Sequence, residues 1–569
     1  MPLSPRTLLS PGARIGLARD PGLGGGNIWR TALEHSPEPG LPLLIADRPL
    51  VNQAGAQQSE FSIAQLGSLA DAWSAWYLDQ GVGPRDRVAV YIEDSFENHV
   101  HVAALAQIGA VCVSLNGRLD PELALGLMRR CEPVGLYTDT AHLAILEARH
   151  KDLPGLRWAL TRQDADPLGD PGLPEARRYR HHDADPVFLC HSSGTTGIPK
   201  LVVWSHRQSV AGPRFRLRTQ PEPTDSVFLC AGPLSHGASL AITFHALLAG
   251  LPQISFSDPS AAGLARAAAT YRPTAVFAFN QTFAHLAVSD PDPADFASVQ
   301  TWMNAGDSAH EAHIRKLVAL GRHKEGEGFA EGSQLLDILG SSELGWAALR
   351  RAATGDSPSQ PRHLGRPAPA MEVAVLRADG SIAADDEVGR LGVRGESVTT
   401  GYWNDSDTYY RSMLGGYLLS GDLVRRTAEG EYFHVDRTVD AVSTAEGEGH
   451  SILMEDLLLL GLPEAEDCTV IAGCRDGRTV PVAVVRLRDT ESDTDPARLL
   501  DRANVALAEA GQPALAVLEL AAGPADLPVG PTGKVLKRRL REKYADLGAY
   551  LAAANPGQVA EVGSRTASA

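Results

Sequence analysis

A chain of 569 residues is too long for one hydrophobic core, so two to four folding units are expected. Hydrophobic residues make up 44% and charged residues 21%, the balance of a soluble globular protein. The net charge of −17 argues against nucleic acid as a partner, which needs clustered Lys and Arg, but leaves room for a nucleotide held by local donors. Six scattered cysteines with no C-x-x-C pair fit reduced core thiols in a cytoplasmic protein better than a disulfide frame or zinc site. No basic segment precedes an apolar stretch at the N-terminus, so no signal peptide is expected. The apolar window at 238–254 is broken by Thr243, His245, Gly250 and Pro252 and reads as a core helix and turn, so no membrane span is expected.

Residues 1–40 are rich in Pro and Gly and predict a loose surface segment. From Phe61 the pattern becomes α/β. Leu66, Leu69, Ala70, Trp73 and Trp76 recur at helical spacing, Arg87 to Ile92 reads as a strand, Asn98 to Ile108 as a helix and Ala110 to Leu115 as the next strand. This alternation predicts a parallel sheet covered by helices on both faces. The Pro, Asp and Arg loop at 164–185 carries Arg177, Arg178, Arg180, His181 and His182, which read as a solvated cluster. Between two apolar strands, Val187 to Cys190 and Leu201 to Trp204, lie Ser192, Ser193, Gly194, Thr195, Thr196 and Gly197, with Lys200 three residues on. Glycines let backbone N–H groups approach an anion, neighbouring hydroxyls donate to it and a lysine adds mobile charge, so this stretch predicts a polyphosphate loop. It is not a Walker A loop, because Lys200 follows Pro199 and precedes a strand rather than opening a helix.

Further on, His236 sits just past a strand end, where parallel sheets place ligands. Gly306, Asp307 and Ser308 end one apolar strand, and Gly340, Ser341 and Ser342 end another; small residues there leave room for a flat base. Glu343 is the single carboxylate of the second turn and suits Mg²⁺ held against phosphate oxygens. His310 and His313 lack the further ligands of a metal site. Gly/Pro turns and short strands from Gly365 to Asp440, including Gly401-Tyr-Trp, Ser420-Gly-Asp-Leu and Asp436-Arg-Thr-Val-Asp, predict a small β-rich subdomain.

In order and spacing these motifs, over about residues 40–545, resemble the AMP-forming adenylating enzymes: acyl-CoA synthetases, luciferase-like ligases and peptide-synthetase adenylation domains. The resemblance implies an α/β fold, with a large N-terminal domain of parallel sheets covered by helices, a small β-rich subdomain and a small mobile α+β C-terminal lid. It places the large domain at 41–436, the lid at 437–545 and a disordered tail at 546–569. It makes Asp422 and Arg437 ribose ligands, His236 the gate of the acyl pocket, and Ser342 the hydroxyl for the α-phosphate. Leu339 stands where the family has an aromatic wall of the nucleotide site. Leu527-Pro-Val-Gly-Pro-Thr-Gly-Lys resembles the closing motif whose lysine, here Lys534, reaches the reacting carboxylate and α-phosphate. The basic run Lys537, Arg538, Arg539, Arg541, Lys543 reads as a solvated helix face, or alternatively as a lure for an acyl carrier protein. The implied substrates and cofactors are ATP, Mg²⁺, a small-molecule acid and CoA, with thioester formation as the default second step. The hinge departs from the family pattern: Val439 stands where Asp or Lys is usual, unless an insertion puts Asp440 there, and a longer acidic loop, Ser443 to His450, follows. Two variants therefore compete with the CoA step, transfer to an amine or carrier protein and activation of nitrite as in diazotising homologues. A non-catalytic nucleotide-binding relative is the alternative of another class.

Overall fold

The computed structural model describes residues 9–52, 55–147, 152–164, 172–192, 199–220, 222–223, 225–307, 309–488, 494–523, 526–529, 535–555 and 557–562. The expected alternation of strand and helix produces two largely parallel sheets. In the six-stranded sheet, Trp158–Thr161, Gly135–Thr138, Arg87–Ile92, Val111–Asn116 and Pro186–His191 run parallel, and Leu201–Ser205 returns antiparallel beside the last. Its strands are buried on both faces, which is why they read as unbroken apolar runs.

The second sheet changes character along its width. Pro42–Val51, Gln253–Ser255, Phe228–Cys230, Ala275–Phe279, Thr301–Ala305 and Gln334–Gly340 are parallel neighbours. From Ala347–Ala353 onward every pairing is antiparallel, through His363–Pro367, Tyr432–Arg437, Tyr417–Arg426, Gly389–Gly395 and Met371–Leu376. The β-rich part is thus hydrogen-bonded to the parallel part as one sheet of 14 strands among the described residues.

The lid is a four-stranded sheet of Ala465–Arg475, Arg478–Leu487, Val517–Leu520 and Val559–Glu561. Side chains alternate across it, as a strand period of two requires. Val470, Ala483, Val485 and Leu518 pack under Met454 and Leu458 of helix Ser451–Gly461 and Leu499, Leu500 and Leu507 of helix Pro496–Glu509. Ile471, Val482, Val484 and Val517 pack on the other face against Leu540, Tyr544 and Leu547.

Several expectations need correction. The N-terminal segment is not loose: Pro11–Arg19 and Ile28–His35 are helices, and Leu17, Leu23, Ile28 and Trp29 are buried in the main core. Its glycines mark tight packing; a Cβ on Gly24 would overlap the His206 ring at 2.3 Å. The supposed disordered tail contains helix Leu547–Ala553 and a sheet strand, with Ala560 buried. Its small polar composition hid a strand of only three residues. Arg437, expected to open the lid, is the last residue of a body strand and lies in register with Asp422. The acidic loop after the hinge folds as a hairpin, Val442–Thr444 with Gly447–Gly449. The cluster at 177–182 is partly packed, with His181 stacked on His206 at 4.7 Å and Arg178 paired with Asp71 at 2.5 Å. Among the described residues no helix is long and apolar enough to cross a membrane.

Removing residues 557–569 takes a whole strand from the lid and uncovers Leu518. Each large apolar side chain returned to water costs about 1.5–3 kcal/mol. The expected outcome is trypsin cleavage within 451–520 at concentrations that spare the full chain; equal protection of both chains would show that the strand contributes nothing to the lid.

Candidate active site

The carboxyl ends of the parallel strands, the turn where the large sheet reverses and one edge of the lid enclose a cavity of about 910 Å³. Ser192, Lys200, His236, Gly306, Asp307, Gly340, Ser341, Ser342, Glu343, Asp422 and Arg437, all singled out from the sequence, line it together. Ser193, Gly194, Thr195, Thr196, Gly197, Ser308 and Lys534 lie outside the described residues. Val529 and Val535, which flank the segment of Lys534, face each other across an antiparallel bridge and both line the cavity.

The two ends of the hydroxyl loop are clasped. Ser192 N donates to the Lys200 carbonyl at 2.9 Å, and Lys200 N donates to Ser192 Oγ at 3.0 Å. This closes the loop on itself at the mouth of the two strands that carry it. From there Lys200 extends its ammonium over the Tyr402 ring at 4.8 Å, and the Tyr402 hydroxyl donates to Glu343 Oε1 at 3.2 Å. Tyr402 is held in place by Trp403 N donating to the Leu201 carbonyl at 2.8 Å. The cation of the phosphate loop and the candidate metal carboxylate are thus bridged by one aromatic side chain. Sequence reading quoted Tyr402 within a glycine turn but gave it no role; only the pairing of that turn on the strand edge brings it here.

Glu343 stands on the reversing turn between Gln334–Gly340 and Ala347–Ala353. Ser342 beside it is buried. Its carbonyl accepts from Trp204 Nε1 at 2.9 Å, so Ser342 also braces the turn against strand Leu201–Ser205. Leu339 lines the same wall.

The turn at Gly306 is braced by a buried pair. Asn304 Nδ2 donates to Asp337 Oδ1 at 2.7 Å and to the Asp307 carbonyl at 2.8 Å, and Ala309 N donates to Asp337 Oδ2 at 3.2 Å. Gly306 adopts φ +89, and a Cβ there would press on the Phe279 ring at 3.2 Å, so glycine is required. Burial pushes the Asp337 carboxyl up to about 6 against the donors that surround it.

Asp422 and Arg437 face each other across adjacent antiparallel strands, with Arg437 Nη1 donating to Asp422 Oδ1 at 3.0 Å and His434 Nε2 bonding the same oxygen at 3.2 Å. Burial acts to raise the Asp422 pKa, but Arg437 and His434 outweigh it and hold the carboxylate well below its usual range. An ionised carboxylate at a cavity wall is the acceptor a vicinal diol needs. His236 caps helix Gly237–Ala249 by accepting from Ala238 N at its Nδ1, 3.1 Å away, and packs edge-on to Phe279 at 5.1 Å. A neutral ring in that arrangement carries its proton on Nε2.

Of the basic run expected to be a solvated face, Arg538 and Arg539 are exposed, whereas the other three are in ion pairs. Lys537 is paired with Glu455 at 2.7 Å, Arg541 with Asp440 at 2.6 Å and Lys543 with Glu519 at 2.8 Å. Arg541 Nη1 also donates to the Val439 carbonyl at 3.0 Å, tying both hinge candidates to the same lid helix. His310 bonds Asp456 of the lid at 2.5 Å, and Arg362 of the body pairs with the same carboxylate.

Ser192 and Lys200, Glu343 on the reversing turn and the buried Asp422–Arg437 pair thus line one cavity. The sequence family described as AMP-binding enzyme matches residues 45–403, and the chain belongs to that family of AMP-forming enzymes. The chain is 36% identical to the 3-aminoavenalumate diazotase of a Streptomyces species over 559 residues, covering 95% of this chain and 99% of that one. It is 25% identical to the 3-amino-2-hydroxy-4-methoxybenzoate diazotase of Streptomyces cremeus over 513 residues, covering 83% and 88%. The fold matches that of the anthranilate CoA ligase AuaEII, solved in complex with anthranoyl-AMP, with a TM-score of 0.78 over 94% of this chain and 99% of that one at 20% identity.

The raised pKa of Asp337 fixes a sign. Its neutral form is favoured in the folded chain, so this contribution to stability is complete below the unfolded pKa of about 4 and is lost as pH rises through about 6. Asp337→Asn should therefore gain melting temperature relative to the parent chain between pH 5 and pH 7.5. A difference that stays constant across that range would show that Asp337 does not titrate there.

Proposed function

We propose that this enzyme diazotises an aromatic amine, using ATP to activate nitrite. The observation that carries this reading is the near end-to-end match to the 3-aminoavenalumate diazotase. It favours diazotisation over the thioester step expected by default, and in this reading CoA has no part. The tethering of Val439 and Asp440 by Arg541 supports the same view, since a single lid pose suffices when no thioester pose is needed.

In the first step a nitrite oxygen attacks the α-phosphorus of ATP. The bond from that phosphorus to the bridging oxygen of the β-phosphate breaks and pyrophosphate leaves, giving nitrosyl adenylate. The amine lone pair then attacks the nitroso nitrogen and AMP departs with its oxygen. Loss of a proton from nitrogen gives an N-nitroso arylamine, which tautomerises to the diazohydroxide and, on protonation, loses water to yield the diazonium ion.

The residues divide this work. The Ser192–Lys200 loop and Lys200 hold the phosphates, and the Asp422–Arg437 pair holds the ribose. The turns at Gly306 and Gly340 flank the base. Glu343, the carboxylate of the reversing turn, lines the cavity and would hold Mg²⁺, which is commonly bound by one or two carboxylates together with substrate phosphates and would supply charge neutralisation there. Lys534 is the lid's cation for the α-phosphate. Preorganised charge at a developing anion contributes about 3–4 kcal/mol per donor.

The test is AMP release with ATP, Mg²⁺ and a panel of aminoaryl acids, with nitrite and CoA each present or absent, and with diazonium trapped as an azo dye on 2-naphthol. AMP and dye should form only with nitrite and should be indifferent to CoA. Acyl-CoA formed without nitrite would overturn the proposal. Lys534→Ala should lower AMP release by about 100-fold or more while leaving ATP binding unchanged; near-normal turnover would remove Lys534 from the chemistry.

A further inference from the structure

One wall of the cavity is made by helix Ala211–Thr219, and it bears a cation that none of the nucleotide chemistry uses. Arg216 lines the cavity beside Phe215, with its side chain only 16% exposed. Its Nε donates to Glu222 Oε1 at 2.6 Å. Among the described residues its two terminal amino groups have no hydrogen-bond partner. The same Glu222 oxygen is bonded by His245 Nε2 at 2.8 Å, and His245 is fully buried inside helix Gly237–Ala249.

This is a braced guanidinium. Burial and the charge of Arg216 lower the His245 pKa, so the ring is neutral and donates through Nε2. Burial acts to raise the Glu222 pKa, but the His245 hydrogen bond and the Arg216 charge outweigh it and lower it to about 2. Glu222 is therefore an anion fixed by His245, and it fixes Arg216 in turn. Arg14 lies close enough to act on His245 as well; it is 3% exposed, and among the described residues its Nε and Nη1 have no hydrogen-bond partner. The half-satisfied fork of Arg216 that reaches the cavity is shaped for a bidentate anion.

Resting on the diazotase reading, the geometry points to Arg216 as the anchor for the carboxylate of an aminoaryl acid, so that the acid is held by its far end and the amine is the reacting group. If a substrate's own carboxylate were adenylated, it would lie by Lys200 and Glu343 and leave Arg216 facing an uncharged tail. In diazotisation the carboxylate is a spectator that stays ionised, and it needs a counter-ion of its own. Arg216 is then a substrate-binding, specificity-determining residue, and Glu222 and His245 are positioning residues behind it.

The experiment measures equilibrium binding of 3-amino-4-hydroxybenzoate and its cinnamate homologue, each as the acid and as the primary amide, to the full chain without ATP or nitrite. The wild type should bind at least one acid ten or more times tighter than its amide. Arg216→Met should weaken that acid to the level of the amide and leave the amide unchanged. The double variant Arg216→Met/Glu222→Gln, which leaves no unpaired buried carboxylate, should behave the same way. Acid preference retained in either variant, equal weakening of acid and amide, or no binding of either acid to the wild type would overturn the assignment. Because binding is read without nitrite, the anchor stands or falls separately from nitrite-dependent AMP release, whose absence alone would defeat the diazotase reading.

Discussion

The reversal of strand direction at the edge of the large parallel sheet organises this molecule. Gln334–Gly340 runs parallel to Thr301–Ala305 on one side and antiparallel to Ala347–Ala353 on the other. Such a change needs a tight turn, and Gly345 supplies it at φ +66 with Leu344 N donating to the Ser341 carbonyl at 3.2 Å. That turn carries Glu343 at the carboxyl end of the sheet, where open α/β folds bind ligands. The antiparallel strands that follow bring Asp422 and Arg437 to the same cavity. Glu343, Asp422 and Arg437 are brought together by one change of strand direction.

Around this turn the site is tied by cross-braces between distant segments. Trp204 holds the Ser342 carbonyl from the phosphate-loop strand, and Tyr402 spans Lys200 and Glu343. Each brace is an aromatic side chain whose own position is set by backbone pairing. Such restraint lowers the reorganisation needed when charge shifts in the cavity. The lid closes the remaining side through Asp456, held by both His310 and Arg362, and through the Val529–Val535 bridge.

The cavity lining carries Ser192, Lys200 and Glu343, and also Arg216 backed by Glu222 and His245. Aromatic walls from Phe215, Phe277 and Phe279 also line it. A substrate with a planar body and a polar group at each end fits this distribution better than a simple aliphatic acid, whose tail would leave a desolvated cation unpaired.

Much of the site was legible in the sequence because its chemistry is local. Hydroxyls and glycines cluster between two strands, a lone carboxylate follows a small-residue turn, and Asp422 and Arg437 stand in short motifs of known order. Strands buried on both faces announce themselves as apolar runs, so the parallel sheets could be read directly. What the sequence could not show are the partnerships made across the chain. Arg216, Glu222 and His245 belong to no motif, and their meeting depends on two helices packing side by side. Lys537, Arg541 and Lys543 look like a solvated face until the lid folds and gives each a carboxylate. Composition made the N-terminal segment and the tail look loose, yet both are built into cores because their few apolar residues, Trp29 and Ala560 among them, find partners far away in sequence. The sequence by itself determined the fold class and the phosphate-handling chemistry, since both rest on short-range pattern. The tertiary structure alone decided which charges are spent within the protein and which remain for a substrate, because that balance is struck only when buried groups meet.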